Sequence, residues 1–228
     1  MKVLVDGDIL TYRAAFACAN ASIDDAFDYI DNLIDEIVEE VMWDDDLSNL
    51  EVFITGKGNF RHDVQPTYKQ NRSGKPKPEH LPDLRDYLWQ EYDAKVSEGQ
   101  EADDDITIRA TELGPSTVIA SIDKDFLQVP CWHYNINRKT MVQVKPFEGL
   151  KFFYGQILMG DAADNVFGLK GIGLAKSRKM LDDAKTAREL YERCVAAYGG
   201  NTEKVVENAR LLWLRREEGE TWQPPVFA

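Results

Sequence analysis

Along the first part of the chain, short apolar runs alternate with stretches in which apolar residues have helical spacing. The apolar runs are residues 2–6, 51–55 and 117–122. They predict buried strands, since each run is short and ends at a polar or turn-forming residue. Helical spacing is clearest over 23–42, where Ser22 is the predicted N-cap, and helices are also predicted over 83–92 and 101–113. This alternation predicts an α/β fold, a mostly parallel central sheet flanked by helices.

The last part of the chain has a different pattern. A further pair of strands is predicted over 132–136 and 141–145, and the signals after Tyr154 are helical apart from the glycine-rich segment 168–173. We therefore predict an α/β catalytic core over residues 1–150 and a helical subdomain over 151–228 that packs on it.

The composition is that of a globular chain, with 43% hydrophobic and 29% charged residues. Its apolar runs are far shorter than the roughly 18 to 20 residues of a membrane span, and its N-terminus lacks the apolar region of a secretory signal. The three cysteines are widely spaced and form no C-x-x-C pair, which indicates neither a disulfide framework nor a zinc site. We expect a monomeric protein of the cytoplasm that does not bind membranes.

Charge is distributed unevenly along the chain. The 27 basic and 40 acidic residues give a net charge of −13, which taken alone argues against a nucleic-acid partner because phosphate repels a negative surface. Residues 57–85, however, carry seven basic and three acidic side chains, a local charge of +4, and residues 165–181 carry four basic and no acidic ones. Two such basic patches are sufficient to hold a polyanion locally.

Acidic residues follow two of the predicted strands. Asp6 and Asp8 end the first strand, and Asp123 and Asp125 follow the third. Ligands of open α/β sheets bind at the carboxyl ends of the strands, so these pairs are expected to converge. Two further clusters are expected to join them: Glu101, Asp103, Asp104 and Asp105 at a helix start, and Asp161 and Asp164, which share one face if that segment is helical. The acids of residues 24–46 are interpreted as a solvated helix face.

Converging carboxylates repel one another and require a positive partner. Clusters of oxygen ligands without Cys or His suit hard cations, so we predict Mg²⁺ or Mn²⁺ rather than zinc. Two such ions about 4 Å apart clamp a phosphodiester, one activating the attacking water and the other stabilising the leaving oxygen. The sequence indicates no other mechanism, since the three histidines are scattered and no nucleophile motif, P-loop or G-x-G-x-x-G is present.

The basic patches contain the candidate contacts to nucleic acid. Lys69 and Arg72 are three residues apart, so on one helical turn both cations point the same way, toward a transferring phosphate, while Tyr68 is placed to stack on a base. The second patch presents Gly171, Gly173 and Lys176. Its glycines allow close approach of a backbone, and the helix that follows offers N-terminal amides to phosphate. A helical hairpin of this kind holds one strand of a duplex without reading its sequence.

Five short motifs, in this order, resemble those of the flap endonuclease superfamily of 5′-nucleases, across residues 1 to about 181. They are Val5-Asp6-Gly7; Tyr68-Lys69-Gln70-Asn71-Arg72; Glu101-Ala102-Asp103-Asp104; Ser121-Ile122-Asp123-Lys124-Asp125; and Gly160-Asp161 with Asp164-Asn165, followed by 168–173. The size and the C-terminal tail, 209–225, are most similar to the bacteriophage 5′→3′ exonucleases of the T-odd type.

The resemblance implies a PIN-like core, a helical subdomain with a helix–three-turn–helix DNA-binding motif, and hydrolysis of duplex DNA at or near a 5′ end or flap. RNA paired to DNA is a second expected substrate, as in relatives that remove replication primers. Two Mg²⁺ or Mn²⁺ ions would be held, directly or through water, by Asp6, Glu101, Asp103, Asp104, Asp123, Asp125, Asp161 and Asp164. Lys69 and Arg72 would contact the scissile phosphate. The duplex would be held by Gly171, Gly173 and Lys176, with K⁺ at the hairpin 171–173.

Two features depart from the family pattern. Where the family usually places an Asp after the second strand, this chain has Thr55 and Gly56, so one carboxylate of the first metal site is missing or the alignment is shifted. The connection from Arg72 to Glu101 is short for the helical arch of larger members and is interrupted by Gly and Pro. We therefore expect a reduced arch over about 66–93, and exonuclease action on duplex ends rather than strict threading of flaps.

Two other functions stay open. A PIN-type endoribonuclease has a similar sheet and acidic site, but the hairpin 168–173 is a duplex-binding device and favours the 5′-nuclease. A non-catalytic DNA-binding module that has lost a metal site is conceivable because of the departure at Gly56. The presence of the other acids and of Lys69 argues against it.

Overall fold

The structure is a computed structural model that describes residues 1–42 and 46–225. Asp44 and Asp45 of the predicted acidic face, and residues 226–228 of the predicted helical subdomain, lie outside these ranges. The chain divides into two compact units: the first comprises residues 1–59, 75–126 and 131–143, and the second comprises 60–74, 127–130 and 144–228. The functional division into a core over 1–150 and a subdomain over 151–228 stays a prediction.

A six-stranded sheet lies at the centre of the first unit. Its strands are β1 (Val3–Asp6), β2 (Leu50–Thr55), β3 (Lys95–Ser97), β4 (Val118–Ala120), β5 (Trp132–Asn135) and β6 (Thr140–Gln143). They lie in the order β3-β2-β1-β4-β5-β6, and neighbouring strands are parallel except for β5 and β6. All four residues of β1 are buried, as expected for a central strand covered on both faces. The predicted mostly parallel α/β sheet is confirmed.

Helices cover this sheet. Numbered along the whole chain, those of the first unit are α1 (Gly7–Ala17), α2 (Ile23–Val41), α4 (Leu81–Glu91) and α5 (Ala102–Leu113). Helix α2 begins after Ser22 as predicted, because the Ser22 hydroxyl oxygen accepts from the Asp25 amide and the Asp25 carboxylate accepts from the Ser22 amide. Helices α1, α2 and α4 pack on one another, and α5 packs on β1, β2, β3 and β4.

Helix α1 was not predicted, because the sequence Asp6-Gly7-Asp8 indicated a turn. The Asp6 carboxylate accepts a hydrogen bond from the Ile9 amide, so it caps a helix that begins directly at the end of β1. The buried face of α1 contains Gly7, Thr11 and two alanines, which give little apolar contrast in the sequence. The three-residue strand β3 was missed as well, because a run of that length carries no clear periodicity.

The second unit is mainly helical. Its elements are α3 (Arg61–Val64), α6 (Pro146–Met159), β7 (Gly160–Asp161), β8 (Val166–Phe167), α7 (Leu174–Leu181), α8 (Ala187–Ala197) and α9 (Thr202–Leu212). Helix α6 packs against α7, α8 and α9, and the antiparallel pair β7 and β8 was not predicted. The guanidinium of Arg61, 1% exposed, donates to the carbonyl oxygens of Leu211 and Trp213, which attaches residues 60–74 to the end of α9.

Between Arg72 and α4, residues 73–80 form turns and irregular backbone rather than helix. Within the described ranges, no helix is long and apolar enough to cross a membrane.

Candidate active site

The strand order changes direction at β1, which has β2 on one side and β4 on the other. In open α/β sheets, ligands bind outside the carboxyl ends of the strands at such a switch point. Asp6 is the last residue of β1, and Asp123 follows the end of β4 by three residues. Two of the acids that the sequence predicted to converge therefore follow adjacent parallel strands.

Asp6 is 3% exposed, and its carboxylate is held from two sides. The hydroxyl of Ser121 donates to Oδ2 at 2.8 Å, and the amide of Ile9 donates to Oδ1 at 3.2 Å. The pKa of Asp6 is raised to about 7, chiefly by burial and also by the charges of Asp8 and Asp123, against the lowering effect of the Ser121 hydrogen bond. A buried carboxyl group with a raised pKa is costly to ionise, and a bound cation would stabilise its ionised form.

The turn after β4 is held together by its own polar groups. The Asp123 amide donates to the Ser121 hydroxyl oxygen at 3.0 Å, and Oδ1 of Asp123 accepts from the Asp125 amide at 2.8 Å. Nζ of Lys124 lies 3.0 Å from Oδ1 of Asp125. Ser121 thus links the acidic turn to Asp6, a role that its place in the motif Ser121–Asp125 does not by itself indicate.

The end of β2 carries no carboxylate. The amide of Thr55 donates to Oδ2 of Asp8 at 3.1 Å, and its hydroxyl oxygen accepts from the amide of Ala102 at 2.9 Å. At the next position, a Cβ on Gly56 would lie 2.3 Å from the carbonyl oxygen of Ser97. A side chain at position 56 would therefore clash with the end of β3, which accounts for the glycine there.

A positively charged side chain lies beside this end of β2. The guanidinium of Arg85, on α4, donates to Oδ1 of Asp8 at 2.5 Å and to the carbonyl oxygen of Thr55. The two side chains are 25% and 24% exposed. The sequence placed Arg85 only among the basic residues of 57–85, because nothing in its neighbourhood along the chain indicates a partner in α1.

The acids at the start of α5 lie in its first turn, as predicted. Asp104 is fully buried, and its Oδ2 accepts from the amide of Glu101 at 3.2 Å, while Oδ1 of Asp105 accepts from the side-chain amide of Gln100 at 2.5 Å. Asp103 follows Glu101 by two residues in the same turn. The role of these acids as a source of metal ligands stays a prediction.

In the second unit, three side chains predicted to contact DNA all contact the carboxylate of Asp164. Nη2 of Arg72 donates to Oδ1 at 2.5 Å, the Tyr68 hydroxyl donates to Oδ2 at 2.9 Å, and Nζ of Lys69 lies 3.6 Å from Oδ2. Lys69 has left-handed backbone (φ 54°) and precedes a short 3₁₀ helix, Gln70–Arg72, instead of lying on a regular helical turn. Both cations nevertheless point at the same anion.

Two expectations for this region are corrected. The ring of Tyr68 is 2% exposed and belongs to the core of the second unit, so it has no open face for a base and serves to hold Asp164. Asp161 ends β7 and Asp164 ends a 3₁₀ turn, so the two do not share the face of an α-helix. Oδ1 of Asp161 accepts from the amide of Ala163 at 2.8 Å.

The glycine-rich segment precedes α7. Gly171 has a φ of +76°, whereas Gly173 is extended, and a Cβ on either would meet no atom of the protein within 4 Å. Nζ of Lys176 donates to the carbonyl oxygen of Gly171 at 2.8 Å. These glycines therefore leave open space beside a basic helix start, which suits the approach of another molecule's backbone.

Across residues 1–42 and 46–225, no group of three or more His, Cys, Asp or Glu side chains forms a ready set of metal ligands. Mg²⁺ in proteins is commonly bound through one or two carboxylates and keeps several waters. The buried Asp6, its raised pKa and the neighbouring charge of Asp123 fit a hard divalent cation of this kind.

A sequence profile of a known family, the N-terminal resolvase-like domain of 5′-3′ exonucleases, matches residues 1–149. DNA polymerase I of Bacillus caldotenax is 32% identical over 236 residues, which cover 93% of this chain and 27% of the relative. The flap endonuclease Xni of Vibrio campbellii is 28% identical over 172 residues, which cover 67% of this chain and 65% of the relative. The chain thus spans about a quarter of the length of the polymerase.

Solved structures have the same fold at low identity. Bacteriophage T5 5′-exonuclease with bound divalent metal ions (zinc) matches with a TM-score of 0.71 and 16% identity, over 92% of this chain and 88% of that one. The T5 flap endonuclease in a complex with DNA and metal ions has a TM-score of 0.70, 17% identity and the same coverage. The catalytic core of Rad2 in complex with DNA substrate has a TM-score of 0.53 and 13% identity, over 100% of this chain and 82% of that one. The predicted flap-endonuclease-like fold is confirmed.

Proposed function

This chain belongs to the 5′-3′ exonuclease family, and we propose that it is a divalent-metal-dependent 5′-nuclease that hydrolyses duplex DNA at or near 5′ ends. The observation that carries the proposal is the buried Asp6 at the switch point of the sheet, raised in pKa beside Asp8 and Asp123. Such a site requires a cation and lies where ligands of open α/β sheets bind.

Mg²⁺ or Mn²⁺ is the proposed cofactor, with Asp6 and Asp123 as its central ligands. The remaining ligands of two ions, directly or through water, would be Glu101, Asp103, Asp104, Asp125, Asp161 and Asp164. When bound, two such ions activate a water and stabilise the leaving oxygen of a phosphodiester. The protein's own part is orientation: the Ser121 hydroxyl fixes one oxygen of Asp6, and the turn that follows fixes Asp123.

The second unit supplies the proposed contacts to DNA. Lys69 and Arg72 already converge on one carboxylate, that of Asp164, and a phosphate presents the same kind of oxyanion to such a pair. The open backbone at Gly171 and Gly173, with Lys176, would hold the phosphates of the duplex and a K⁺ ion at the hairpin.

We further propose that the nuclease acts as a monomer in the cytoplasm, and that RNA paired to DNA is also a substrate. Exonuclease action on duplex ends is favoured over threading of flaps, because residues 73–80 form no helical arch. Efficient cutting of long flaps at the branch point would contradict this preference.

The function is tested by digestion of a linear duplex that is internally labelled near one 5′ end, in Mg²⁺, in Mn²⁺ and in chelator. Release of mononucleotides or short oligonucleotides from the 5′ end, only with metal, is expected. A parallel duplex with RNA at the labelled 5′ end tests the second substrate.

Asp123→Asn is expected to abolish this release, whereas Glu39→Gln, the same charge change on the exposed face of α2, is expected to leave it intact. Binding of the duplex without cleavage in either metal would favour the non-catalytic DNA-binding module.

A further inference from the structure

Asp8 follows the acidic end of β1 by two residues, yet both of its oxygens are occupied by groups of the protein. Oδ1 accepts from Arg85 at 2.5 Å, and Oδ2 accepts from the Thr55 amide at 3.1 Å. The same guanidinium donates to the carbonyl oxygen of Thr55. Arg85 therefore joins the start of α1 to the last residue of β2.

The charges in this cluster are partly shielded from water. The side chains of Arg85 and Asp8 are 25% and 24% exposed, and Asp6 is 3% exposed. At such positions a fixed charge acts more strongly on its neighbours than it would on the surface. The charge of Asp8 also acts on the buried Asp6, so the ion pair between Arg85 and Asp8 lies next to the acid at the end of β1.

The two sides of the switch point thus differ. On the β4 side, Asp123 follows the strand, and its carboxylate accepts a hydrogen bond from the backbone amide of Asp125. On the β2 side, the strand ends in Thr55, Gly56 admits no side chain, and the positive charge is already supplied by Arg85. A divalent cation on that side would face a guanidinium and would have to displace it from Asp8.

We infer that Arg85 is a positioning residue that acts as a resident cation on the β2 side of the acid cluster and makes the two metal positions unequal. A divalent ion binds tightly on the β4 side and weakly on the β2 side, because Arg85 neutralises Asp8 and repels a second cation there. This inference rests on the proposed metal-dependent function of the same site.

The test is a titration of the full chain with Mn²⁺ alone. Binding is measured in two ways, by isothermal titration calorimetry and by the loss of the electron paramagnetic resonance signal of free Mn²⁺. The wild type is expected to show one tight and one weak ion. Arg85→Gln should tighten the weak ion by about tenfold or more, because it removes the repelling charge and frees Asp8.

Two further variants separate charge from structure. Arg85→Lys keeps the cation and should keep the wild-type difference between the two ions. Arg109→Gln removes a guanidinium of the same unit that pairs with Glu51 instead, and should also leave Mn²⁺ binding unchanged.

The inference is overturned if the wild type binds two ions equally, if it binds none, or if Arg85→Lys behaves like Arg85→Gln. Cleavage assays distinguish this result from failure of the proposed function. If the wild type binds two ions equally and still cleaves DNA, only the role of Arg85 is overturned. If the wild type binds the two ions unequally, Arg85→Gln removes this difference, and the wild type does not cleave DNA, only the proposed nuclease function is overturned.

Discussion

The hydroxyl of Ser121 donates a hydrogen bond to Oδ2 of Asp6 at 2.8 Å and so connects residues that lie 115 positions apart in the chain. It joins the carboxyl ends of β1 and β4, the two strands between which the order of the sheet reverses. Because the same hydroxyl accepts from the Asp123 amide, one small side chain orients both acids of the switch point. The position of the two acids that we propose as metal ligands therefore depends on a neutral residue.

Ser121→Ala removes this hydrogen bond from a carboxyl group that is 3% exposed. We expect the free energy of unfolding to fall by about 1 to 3 kcal/mol, because Asp6 loses a partner in a buried place. Urea denaturation checks this, with Ser116→Ala, in the exposed turn before β4, as the control. Equal stability of the two variants would show that the hydroxyl does not support Asp6.

Divalent metal is expected to stabilise the folded protein, because it binds the native acid cluster and not the unfolded chain. Millimolar Mg²⁺ or Mn²⁺ should raise the melting temperature, and Asp123→Asn should weaken that rise. Glu39→Gln, an exposed acid of α2, is the matched control and should respond like the wild type. A melting curve indifferent to metal would mean that the acids do not converge.

Gly173→Ala separates duplex binding from folding. Gly173 has extended backbone that any residue adopts, and a Cβ there meets nothing within 4 Å, so stability should change by less than about 0.5 kcal/mol. The methyl group would project into the space proposed for the phosphate backbone, so the affinity for a labelled duplex should fall several-fold in fluorescence anisotropy without metal. Wild-type affinity would exclude this segment as a contact.

Gly171→Ala is the matched comparison for that variant. At a φ of +76° an alanine is strained, so we expect a stability loss of about 1 to 2 kcal/mol as well as weaker binding. If Gly171→Ala melts like the wild type, the backbone at this position does not have the left-handed conformation.

The strands and the acids that follow them could be predicted from the sequence, because an apolar run and its end are local signals. Asp6 and Asp123 were found in this way. The roles of Ser121 and Arg85 could not be predicted, because their partners are far away in the chain and only the parallel sheet and α4 bring them together. Tyr68 was misjudged for a related reason: a tyrosine in a basic segment suggests an exposed ring, whereas the packing of the second unit buries it.

For helix α1, too, the residues near its start in the sequence do not decide the structure, whereas a contact with a distant strand does. Its N-cap, Asp6, is a good helix start, but the Gly7 that follows is equally typical of a turn. Only the close contact with β2 shows why glycine is needed, since a Cβ on Gly7 would lie 2.7 Å from the carbonyl oxygen of Phe53.

Stability against acid is expected to depend on Glu51, in β2. Its carboxylate accepts from Nε and Nη2 of Arg109, at 2.9 Å each, and from Lys95. Chiefly through the Arg109 hydrogen bonds, its pKa falls from 4.5 to about 2. Because the pKa is lower in the folded state, the ionised group contributes stability at a pH above about 4.5, and this contribution is lost as the pH falls toward about 2.

Glu51→Gln should therefore lower the free energy of unfolding near neutral pH by about 1 to 3 kcal/mol and flatten its decline in acid. Urea denaturation at a series of pH values checks this, with Glu39→Gln as the control for the loss of an exposed charge. The difference between the wild type and Glu51→Gln should shrink as the pH falls from about 4.5 to about 2, because Glu51 becomes protonated first in the unfolded chain and then in the folded protein. A difference that persists undiminished at that pH would show that Glu51 acts through packing and not through its charge.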